Sequence, residues 1–414
     1  MSKKLLIVSS DCHANQNPDG YRPFVEKAYL DDFDTWARGQ QGDEGKVNRV
    51  LQTRFRSGPR EILEEEYDVR EEFQTSIDVD YRLKTLESDG IAAEIVFPNQ
   101  VPLGGGLGNL APTKGRAAEL AAAGQKAYNR WLGNFVDPSR MAGVALIGGQ
   151  WDRAEAAKEV YWAKENGLKA IMPDGIVWGE TPLFDPSYDQ FWAACADTGL
   201  PISFHGSGGG LPPYDYSSAT GLFLVASEST IFGHRSLWYM MWGGVFERHP
   251  NLKVAFTEMY SDWLARTLKY MDFLYESSPL GGLEGIVERK PSEYWERQCA
   301  IGCSVFSRAE AKMRHEIGVG GMMYGSDSAH AEGSWARTLT HLRATLGEAG
   351  ATEEELRAIC GLNAAKFYDF DLDVLEPVAE RCGPTIEDVM TPLSEAERND
   401  PMINHMWLDR PPSL

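Results

Sequence analysis

Short runs of apolar residues alternate along this chain with longer stretches whose apolar residues recur at the spacing of an α-helix. The short runs predict β-strands, and they are apolar throughout because strands of a helix-covered parallel sheet are buried on both faces. Eight such strands in alternation with helices predict the α/β class and, within it, a (β/α)8 TIM barrel. The predicted strands are Leu5–Ser9, Ala92–Phe97, Ala142–Ile147, Leu168–Met172, Pro201–His205, Leu252–Thr257, Gln298–Cys303 and Gly321–Tyr324.

The stretches between these strands have the amphipathic pattern of helices that pack one face against a barrel. A doubly wound sheet is the alternative fold, but the first strand is not followed by the Gly-x-Gly-x-x-Gly turn that is typical of it. The clearest predicted helices are Ala117–Leu132, Trp151–Asn166, Asp189–Thr198, Asp262–Tyr275 and Arg308–Ile317.

Two segments interrupt the alternation. The chain divides into a predicted barrel domain, residues 1–370, and a proline-rich C-terminal extension, residues 371–414. Residues 14–80 form a long insertion after the first strand, rich in charged and aromatic residues. Because loops that follow barrel strands lie on the catalytic face, we expect this insertion to act as a lid. Together with the glycine-rich residues 104–108, it predicts a roomy, apolar substrate pocket.

The composition of the chain limits the kinds of partner that it can bind and the cellular compartment in which it is expected. The formal net charge is −21 without a basic patch, which argues against nucleic acid or an anionic membrane as a partner. No apolar run reaches the roughly 18–20 residues that span a bilayer, and Asp11 interrupts the N-terminal apolar run too early for a signal peptide. The six cysteines are too scattered for a disulfide framework. We therefore expect a cytoplasmic protein with a small-molecule substrate.

Polar residues of the kinds that bind metals come directly after several predicted strands. Asp11 and His13 follow the first strand, and both can reach one ion because residues i and i+2 of an extended chain point to the same side. His205 ends strand five ahead of a glycine-rich stretch, and Asp327 follows strand eight. Carboxylate oxygens and imidazole nitrogens suit Zn²⁺, Fe²⁺ or Mn²⁺, and we expect one or two such ions.

Further polar residues are candidates for supporting roles. Glu258 follows strand six, where its carboxylate either binds the metal or acts as a general base. His330 is a candidate to orient Asp327 or to contact substrate, and Asp174 and His234 are weaker candidates for a second metal. The remaining histidines are interpreted as structural or surface residues, namely His249, His315, His341 and His405.

With these residues in view, the chain resembles the amidohydrolase-related family often called amidohydrolase 2, whose members include the aminocarboxymuconate-semialdehyde and resorcylate decarboxylases. The matching stretches cover roughly residues 5–370, and as an ordered set they are specific. They are Ser10–His13, Arg82–Asn99, Phe191–His205, Gly244–Lys253, Glu258 with Trp263, Tyr324–Asp327 and Asn363–Lys366.

The resemblance implies a divalent metal, and we expect Zn²⁺ ahead of Fe²⁺ and Mn²⁺. The decarboxylases carry a histidine at the end of strand six, whereas this chain has Glu258, and a carboxylate base beside a metal-activated water favours hydrolysis. We therefore predict a metal-dependent hydrolase of an amide, lactone or thioester, with Glu258 or Asp327 passing the proton to the leaving group. The alternative is a non-oxidative decarboxylase or hydro-lyase of an aromatic or muconate-like acid.

The metal ligands that the resemblance implies are Asp11 (where those decarboxylases have His or Glu), His13, His205 and Asp327. Glu258 is a candidate fifth ligand.

Three residues are candidates for substrate binding. Asn99 and Trp263 lie in the matching stretches, and Arg54 of the insertion is a candidate partner for a substrate carboxylate. A substrate carboxylate beside the carboxylate of Glu258 would be repelled unless a cation offsets it, which again favours hydrolysis over decarboxylation. Members of the family are often dimers or larger, so we expect a homodimer.

Overall fold

The chain folds into a barrel of eight parallel strands with helices on its outside, which confirms the predicted fold. The computed structural model describes residues 3–41, 77–104, 114–148, 152–177, 179–206, 218–277, 281–328, 330, 333–400 and 408–412. Every strand pairs in parallel with the next one along the chain. Their bounds are β1 (Val8–Ala14), β2 (Ala93–Pro98), β3 (Met141–Ile147), β4 (Ala170–Pro173), β5 (Ile202–His205), β6 (Val254–Thr257), β7 (Cys299–Ser304) and β8 (Met322–Gly325).

The helices predicted from the amphipathic pattern are all present, and their ends differ from the predicted ones by three residues at most. Short 3-10 segments lie at Pro18–Phe24, Lys27–Tyr29, Pro102–Gly104, Pro186–Tyr188 and Val319–Gly321, and π-helical turns at Arg343–Gly347 and Ala358–Leu362. The α-helices of the described residues are α1 (Leu30–Gln41), α2 (Val79–Ser88), α3 (Gly115–Phe135), α4 (Arg153–Glu165), α5 (Asp189–Thr198), α6 (Ala219–Trp242), α7 (Val245–Arg248), α8 (Trp263–Ser277), α9 (Pro291–Gln298), α10 (Arg308–Ile317), α11 (Thr338–Leu342), α12 (Glu353–Arg357), α13 (Asn363–Phe367), α14 (Leu372–Cys382), α15 (Ile386–Met390) and α16 (Glu395–Arg398).

The first strand extends further than its apolar run predicts. It continues to Ala14, so that the polar residues from Ser9 to His13 lie inside the strand, all of them buried. Backbone hydrogen bonds across the closure of the barrel hold this segment: Asp327 N donates to Asp11 O (2.9 Å), and His13 N donates to Ser328 O (2.6 Å). Partners that are distant in the sequence therefore hold this part of the strand, and the local apolar pattern does not show them.

A buried ion pair fixes the C-terminal end of β1 to the neighbouring strand. Arg82 of α2 donates from Nε (2.5 Å) and Nη2 (2.8 Å) to the carboxylate of Glu94 on β2, and its Nη1 donates to the carbonyl oxygen of His13 (2.9 Å). The side chains of Arg82 and Glu94 are 3% and 0% exposed, so the two charges depend on each other for compensation.

We expect Arg82→Met to lower the free energy of unfolding by about 3–5 kcal/mol, because the substitution leaves the buried Glu94 carboxylate without a cation. Urea denaturation measures the change. Arg22→Met is the control, since Arg22 pairs with Asp34 on the surface and its loss should change stability little. Equal stabilities of the Arg82→Met variant and the unchanged chain would contradict the assigned role of the pair.

The first part of the insertion packs against the barrel. The ring of Tyr21 is fully buried and lies against Trp131 of α3, with 5.5 Å between ring centroids. Its hydroxyl donates to the carbonyl oxygen of Gln100 (2.9 Å), directly beyond β2. Residues 42–76 of the insertion, with Arg54, and residues 105–108 of the glycine-rich stretch lie outside the described residues. The lid and the roomy pocket therefore stay predictions.

The described residues of the C-terminal extension run along the outside of the barrel and include the helices α14, α15 and α16. At one end, Leu5 N donates to Pro384 O (2.7 Å) just before β1. At the other, Arg308 N at the start of α10 donates to Leu408 O (2.9 Å). The extension therefore contacts both the start of the first strand and the loops that follow the late strands.

Three further expectations can be compared with the structure. None of the described helices is long and apolar enough to cross a bilayer, and all six cysteines are free thiols, as expected.

The surface position predicted for His341 is wrong. Its ring is fully buried, 5.8 Å from the ring of Tyr324 between centroids, because α11 packs that face against β8. Burial lowers the pKa of His341 to about 4, so the imidazole is neutral.

Candidate metal centre

The polar residues that follow four of the strands converge at the carboxyl end of the barrel. The structure brings two groups of metal-ligating side chains together, and both groups contain His13. Its Nε2 lies 3.5 Å from Asp11 Oδ1 and 3.5 Å from Asp327 Oδ1, while His205 Nε2 lies 3.2 Å from Asp11 Oδ1. The first group is Asp11, His13, His205 and Glu258, and the second is His13, Asp327 and His330.

Several atoms of this cluster that could bind a metal are buried and make no hydrogen bond of normal geometry with any described residue. These atoms are Nε2 of His13 and both carboxylate oxygens of Asp327. His13 Nδ1 lies 3.1 Å from the carbonyl oxygen of Pro98, so Nδ1 carries the ring hydrogen and the lone pair of Nε2 faces the cluster. Buried polar atoms are normally paired, and an imidazole nitrogen with carboxylate oxygens is the donor set of a divalent cation. The residues therefore fit a divalent metal, and Nε2 of His13, which both groups share, can bind only one ion.

The protonation states of His13 and Asp327 suit metal binding. Burial lowers the pKa of His13, which keeps the imidazole neutral. Burial opposes the negative charge of Asp327, but His330 and His13 outweigh it and hold the pKa of Asp327 well below its usual range. A neutral imidazole and an ionised carboxylate are the forms in which these side chains bind metals.

Glu258 differs from the other members of the cluster in exposure and in charge. Its side chain is 30% exposed, whereas the side chains of His205 and Asp11 are 9% and 0% exposed, so Glu258 lies at the mouth of the cluster. Its Oε2 lies 3.3 Å from His205 Nδ1. Burial raises the pKa of Glu258 to about 8, because His205 offsets only part of the cost of its charge and nearby carboxylates add to that cost. Burial opposes protonation of His205, but Asp11 and Glu258 outweigh it and raise the pKa of His205.

The backbone turns sharply after each of the last four strands. The residues there have left-handed conformations: Gly206 (φ 48°), Glu258 (55°), Val305 (49°) and Asp327 (54°). For a residue other than glycine this costs of order 1–3 kcal/mol and persists only where the surroundings hold it. Both Glu258 and Asp327 carry a side chain of the cluster, so the strain lies in the turns that bear candidate functional groups.

Ser304, at the end of β7, was not predicted from the sequence. Its hydroxyl donates to Oδ2 of Asp11 and leaves Oδ1 facing the histidines. Ser304 pairs with Gly325 of β8 in the parallel register, a position that only the closed barrel defines. Such outer partners orient metal ligands.

We expect Ser304→Ala to weaken Mn²⁺ binding about 10–100-fold, because Asp11 loses the bond that fixes its carboxylate. Titration of the metal-free protein with Mn²⁺ measures the change. Ser10→Ala is the matched control, since Ser10 is also buried but its hydroxyl donates to Met323 O (3.0 Å) and does not contact a ligand. Equal affinities of the two variants would contradict the role of Ser304.

His330 contacts two other members of the cluster, Asp327 and His13. His330 Nδ1 lies 2.9 Å from Asp327 Oδ1, and the His330 ring stacks on that of His13 with 4.0 Å between centroids. Asn99 directly follows β2 and is partly buried. Trp263 is buried, and its Nε1 donates to the carbonyl oxygen of Met259 (2.9 Å) in the turn after β6. Substrate binding by Asn99, Arg54 and Trp263 stays a prediction.

The weaker candidates for a second metal lie outside both groups of described ligands. Asp174 follows β4 and packs beside Gly148, where a Cβ atom would come within 2.6 Å of its carboxylate. His234 stacks on Trp263 with 3.8 Å between ring centroids, and burial lowers its pKa to about 3. Both residues therefore pack among barrel elements.

Comparison with known proteins relates this fold to other barrels. An amidohydrolase from Mycobacterium avium subsp. paratuberculosis K-10 is 18% identical, with a TM-score of 0.63 over 88% of this chain and 99% of that one. The 5-carboxyvanillate decarboxylase of Novosphingobium aromaticivorans DSM 12444, complexed with manganese and 4-hydroxy-3-methoxy-5-nitrobenzoic acid, is 16% identical, with a TM-score of 0.60 over 89% and 100%. A dihydroxybenzoic acid decarboxylase from Polaromonas sp. JS666, with manganese and the inhibitor 2-nitroresorcinol, is 15% identical, with a TM-score of 0.56 over 89% and 97%.

At these identities the likeness concerns the fold. A sequence comparison with curated proteins finds no significant match. The sequence model of the family described as Amidohydrolase matches residues 106–370, more than half of the chain. This confirms the resemblance drawn from the sequence motifs, and the chain belongs to the amidohydrolase family.

Proposed function

We propose that this protein is a metal-dependent, non-oxidative decarboxylase of an aromatic acid. The observation that carries the proposal is the position of the Glu258 carboxyl group, at the mouth of the buried donor cluster and 3.3 Å from His205 Nδ1. A carboxyl group at this position lies beside the place where a substrate would contact the metal. It also contacts the imidazole of His205. The similarity in fold to the two decarboxylases supports the same reading.

The donor set suits a divalent cation, and we propose Mn²⁺ ahead of the Zn²⁺ favoured from the sequence. Carboxylate-rich sites suit manganese, and the two similar decarboxylase structures contain it. When bound, the ion supplies positive charge that anchors a substrate oxygen and draws electron density from the ring. Asp11, His13, His205 and Asp327 would hold it.

Decarboxylation exchanges a carboxylate for a hydrogen. The electron pair of the broken C–C bond returns to the ring, CO₂ leaves, and one proton must reach the ring carbon. Glu258 is suited to deliver that proton, since its raised pKa favours the acid form near neutral pH. In that form it carries no charge, so it does not repel a substrate carboxylate. His205 Nδ1 lies 3.3 Å from Glu258 Oε2 and holds the carboxyl group in place, and solvent can replace the proton because the Glu258 side chain is 30% exposed.

The hydrolase predicted from the sequence becomes the second candidate. One observation favours it: Glu258 in its ionised form, at the mouth of the cluster, is placed to take a proton from water. Hydrolysis would require the ionised form, whereas the raised pKa of Glu258 and the similarity in fold to two decarboxylases both favour decarboxylation. The decarboxylase therefore ranks first.

Product analysis in D₂O separates the two functions. The Mn²⁺-loaded protein is incubated with a panel of carboxylated phenols, including 5-carboxyvanillate and 2,6-dihydroxybenzoate, and with an amide, a lactone and a thioester. We expect CO₂ release from at least one phenolic acid, with one deuterium on the ring carbon that lost the carboxylate. Hydrolysis of the amide, lactone or thioester without CO₂ release from any acid would overturn the proposal and favour the second candidate.

A further inference from the structure

The turn that carries Glu258 is strained and needs support from elsewhere. Both Glu258 (φ 55°) and Tyr260 (φ 56°) have left-handed conformations within three residues. Such conformations persist only where the surrounding structure fixes them. Trp263 supplies part of that support from inside the fold, with its Nε1 bonded to the carbonyl oxygens of Met259 (2.9 Å) and Tyr260 (3.1 Å).

The C-terminal extension supplies a second support from outside. The guanidinium carbon of Arg410 lies 3.5 Å from the ring centroid of Tyr260, a cation–π contact. The Nη2 atom lies 2.8 Å from Glu310 Oε2 and 3.5 Å from Asp262 Oδ1. Arg410 is 8% exposed, and the two carboxylates are 0% and 1% exposed. The end of the chain therefore supplies a buried positive charge next to the turn.

Glu310 connects Arg410 to the backbone of the turn. Its Oε1 accepts from both the backbone nitrogen (2.7 Å) and the hydroxyl (2.8 Å) of Ser261. Its Oε2 accepts from Ser307 N (2.8 Å) at the start of α10. Glu310 is thus the common acceptor for the turns after β6 and β7, and Arg410 is the cation that compensates its buried charge.

We propose that Arg410 is a positioning residue that holds the turn of residues 258–262, so that the C-terminal extension completes the site although it lies outside the barrel. Its effect on catalysis rests on the role of Glu258 in the proposed function, whereas its effect on the turn does not. Loss of Arg410 removes the cation that compensates the buried carboxylate of Glu310, together with one contact of Asp262 and the cation over the ring of Tyr260. The turn then relaxes, and Glu258 moves away from His205.

Hydrogen exchange followed by mass spectrometry tests this on the full chain, independently of activity. In Arg410→Met we expect amides of residues 258–262 to exchange about tenfold faster or more, with the strands of the barrel unchanged. Arg410→Lys keeps a charge near Glu310 but loses the planar group over Tyr260, so its increase should be smaller. The matched control is Asp409→Asn, which removes the neighbouring exposed ion pair with Arg308 (2.8 Å) and should leave the turn unchanged.

Faster exchange confined to the turn, in Arg410→Met but not in Asp409→Asn, supports the proposal. Unchanged exchange there, or an equal rise in all strands, overturns it, and Arg410→Lys decides in the same way if Arg410→Met does not fold. As a second readout, we expect kcat per bound Mn²⁺ to fall about tenfold or more with KM within about twofold. Absence of decarboxylation by the unchanged chain would refute the proposed function, while the exchange result would still decide the role of Arg410.

Discussion

His13→Ala is expected to abolish metal binding and, with it, nearly all activity. The Nε2 atom of His13 is the donor that both ligand groups share, and it is buried without a hydrogen bond to any described residue. Loss of an outer partner already costs about 10–100-fold in affinity or activity, so loss of the shared donor should exceed about 100-fold in Mn²⁺ affinity and about 10³-fold in rate. Elemental analysis after dialysis and the rate of CO₂ release measure the two effects.

His249→Ala is the control for this variant. His249 follows α7 and its Nε2 lies 3.2 Å from Asp189 Oδ1, away from the metal cluster, so its loss should leave the metal content unchanged. Circular dichroism establishes that both variants are folded. A His13→Ala protein that retains one ion per chain and more than a tenth of the rate would refute the assignment of His13 as a metal ligand.

Glu258→Gln is expected to lower kcat about 10²–10⁴-fold while the metal content stays at one ion per chain. The amide keeps the size and the contact with His205 but cannot deliver a proton. Glu258→Asp, which keeps an acid on a shorter side chain, should retain more activity than Glu258→Gln. Steady-state rates with elemental analysis of the same samples test this, and equal kcat values for Glu258→Gln and the unchanged chain would remove Glu258 from the mechanism.

The pH dependence follows from the same side chain. Because burial raises the pKa of Glu258 to about 8, its acid form persists at neutral pH and disappears as the pH rises. A rate that needs the acid form therefore falls on the alkaline side, by about tenfold per pH unit. A cation in the cluster lowers this pKa, so the midpoint should lie at or below about pH 8. Glu258→Gln should lack this alkaline limb, and a limb that persists in the variant would assign it to another group.

The rule that functional residues follow the strands of a barrel was enough to predict which polar side chains the structure brings together. Asp11, His13, His205, Glu258 and Asp327 were each predicted because they follow an apolar run, and the closed barrel brings those ends together. The limits of the first strand were predicted less well, since its polar segment is bonded to Asp327 and Ser328 beyond β8, which the local pattern does not show.

Residues whose partners are distant in the sequence could not be predicted. Ser304 contacts Asp11 across 293 positions, and Arg410 contacts Asp262 across 148, and nothing in their local sequence marks these partners. The preference for a hydrolase had a related cause. It took the carboxylate of Glu258 to be ionised, yet the charge of a carboxyl group depends on burial and on neighbouring charges, which only the folded chain defines.

The most direct test of a decarboxylase with a single metal ion is a titration of the metal-free protein with Mn²⁺, with bound Mn²⁺ and the rate of CO₂ release measured on the same samples. We expect both to rise together and to reach their plateau at about one ion per chain, because the two ligand groups share His13. A plateau at two ions, or CO₂ release that does not depend on the metal, would contradict this expectation.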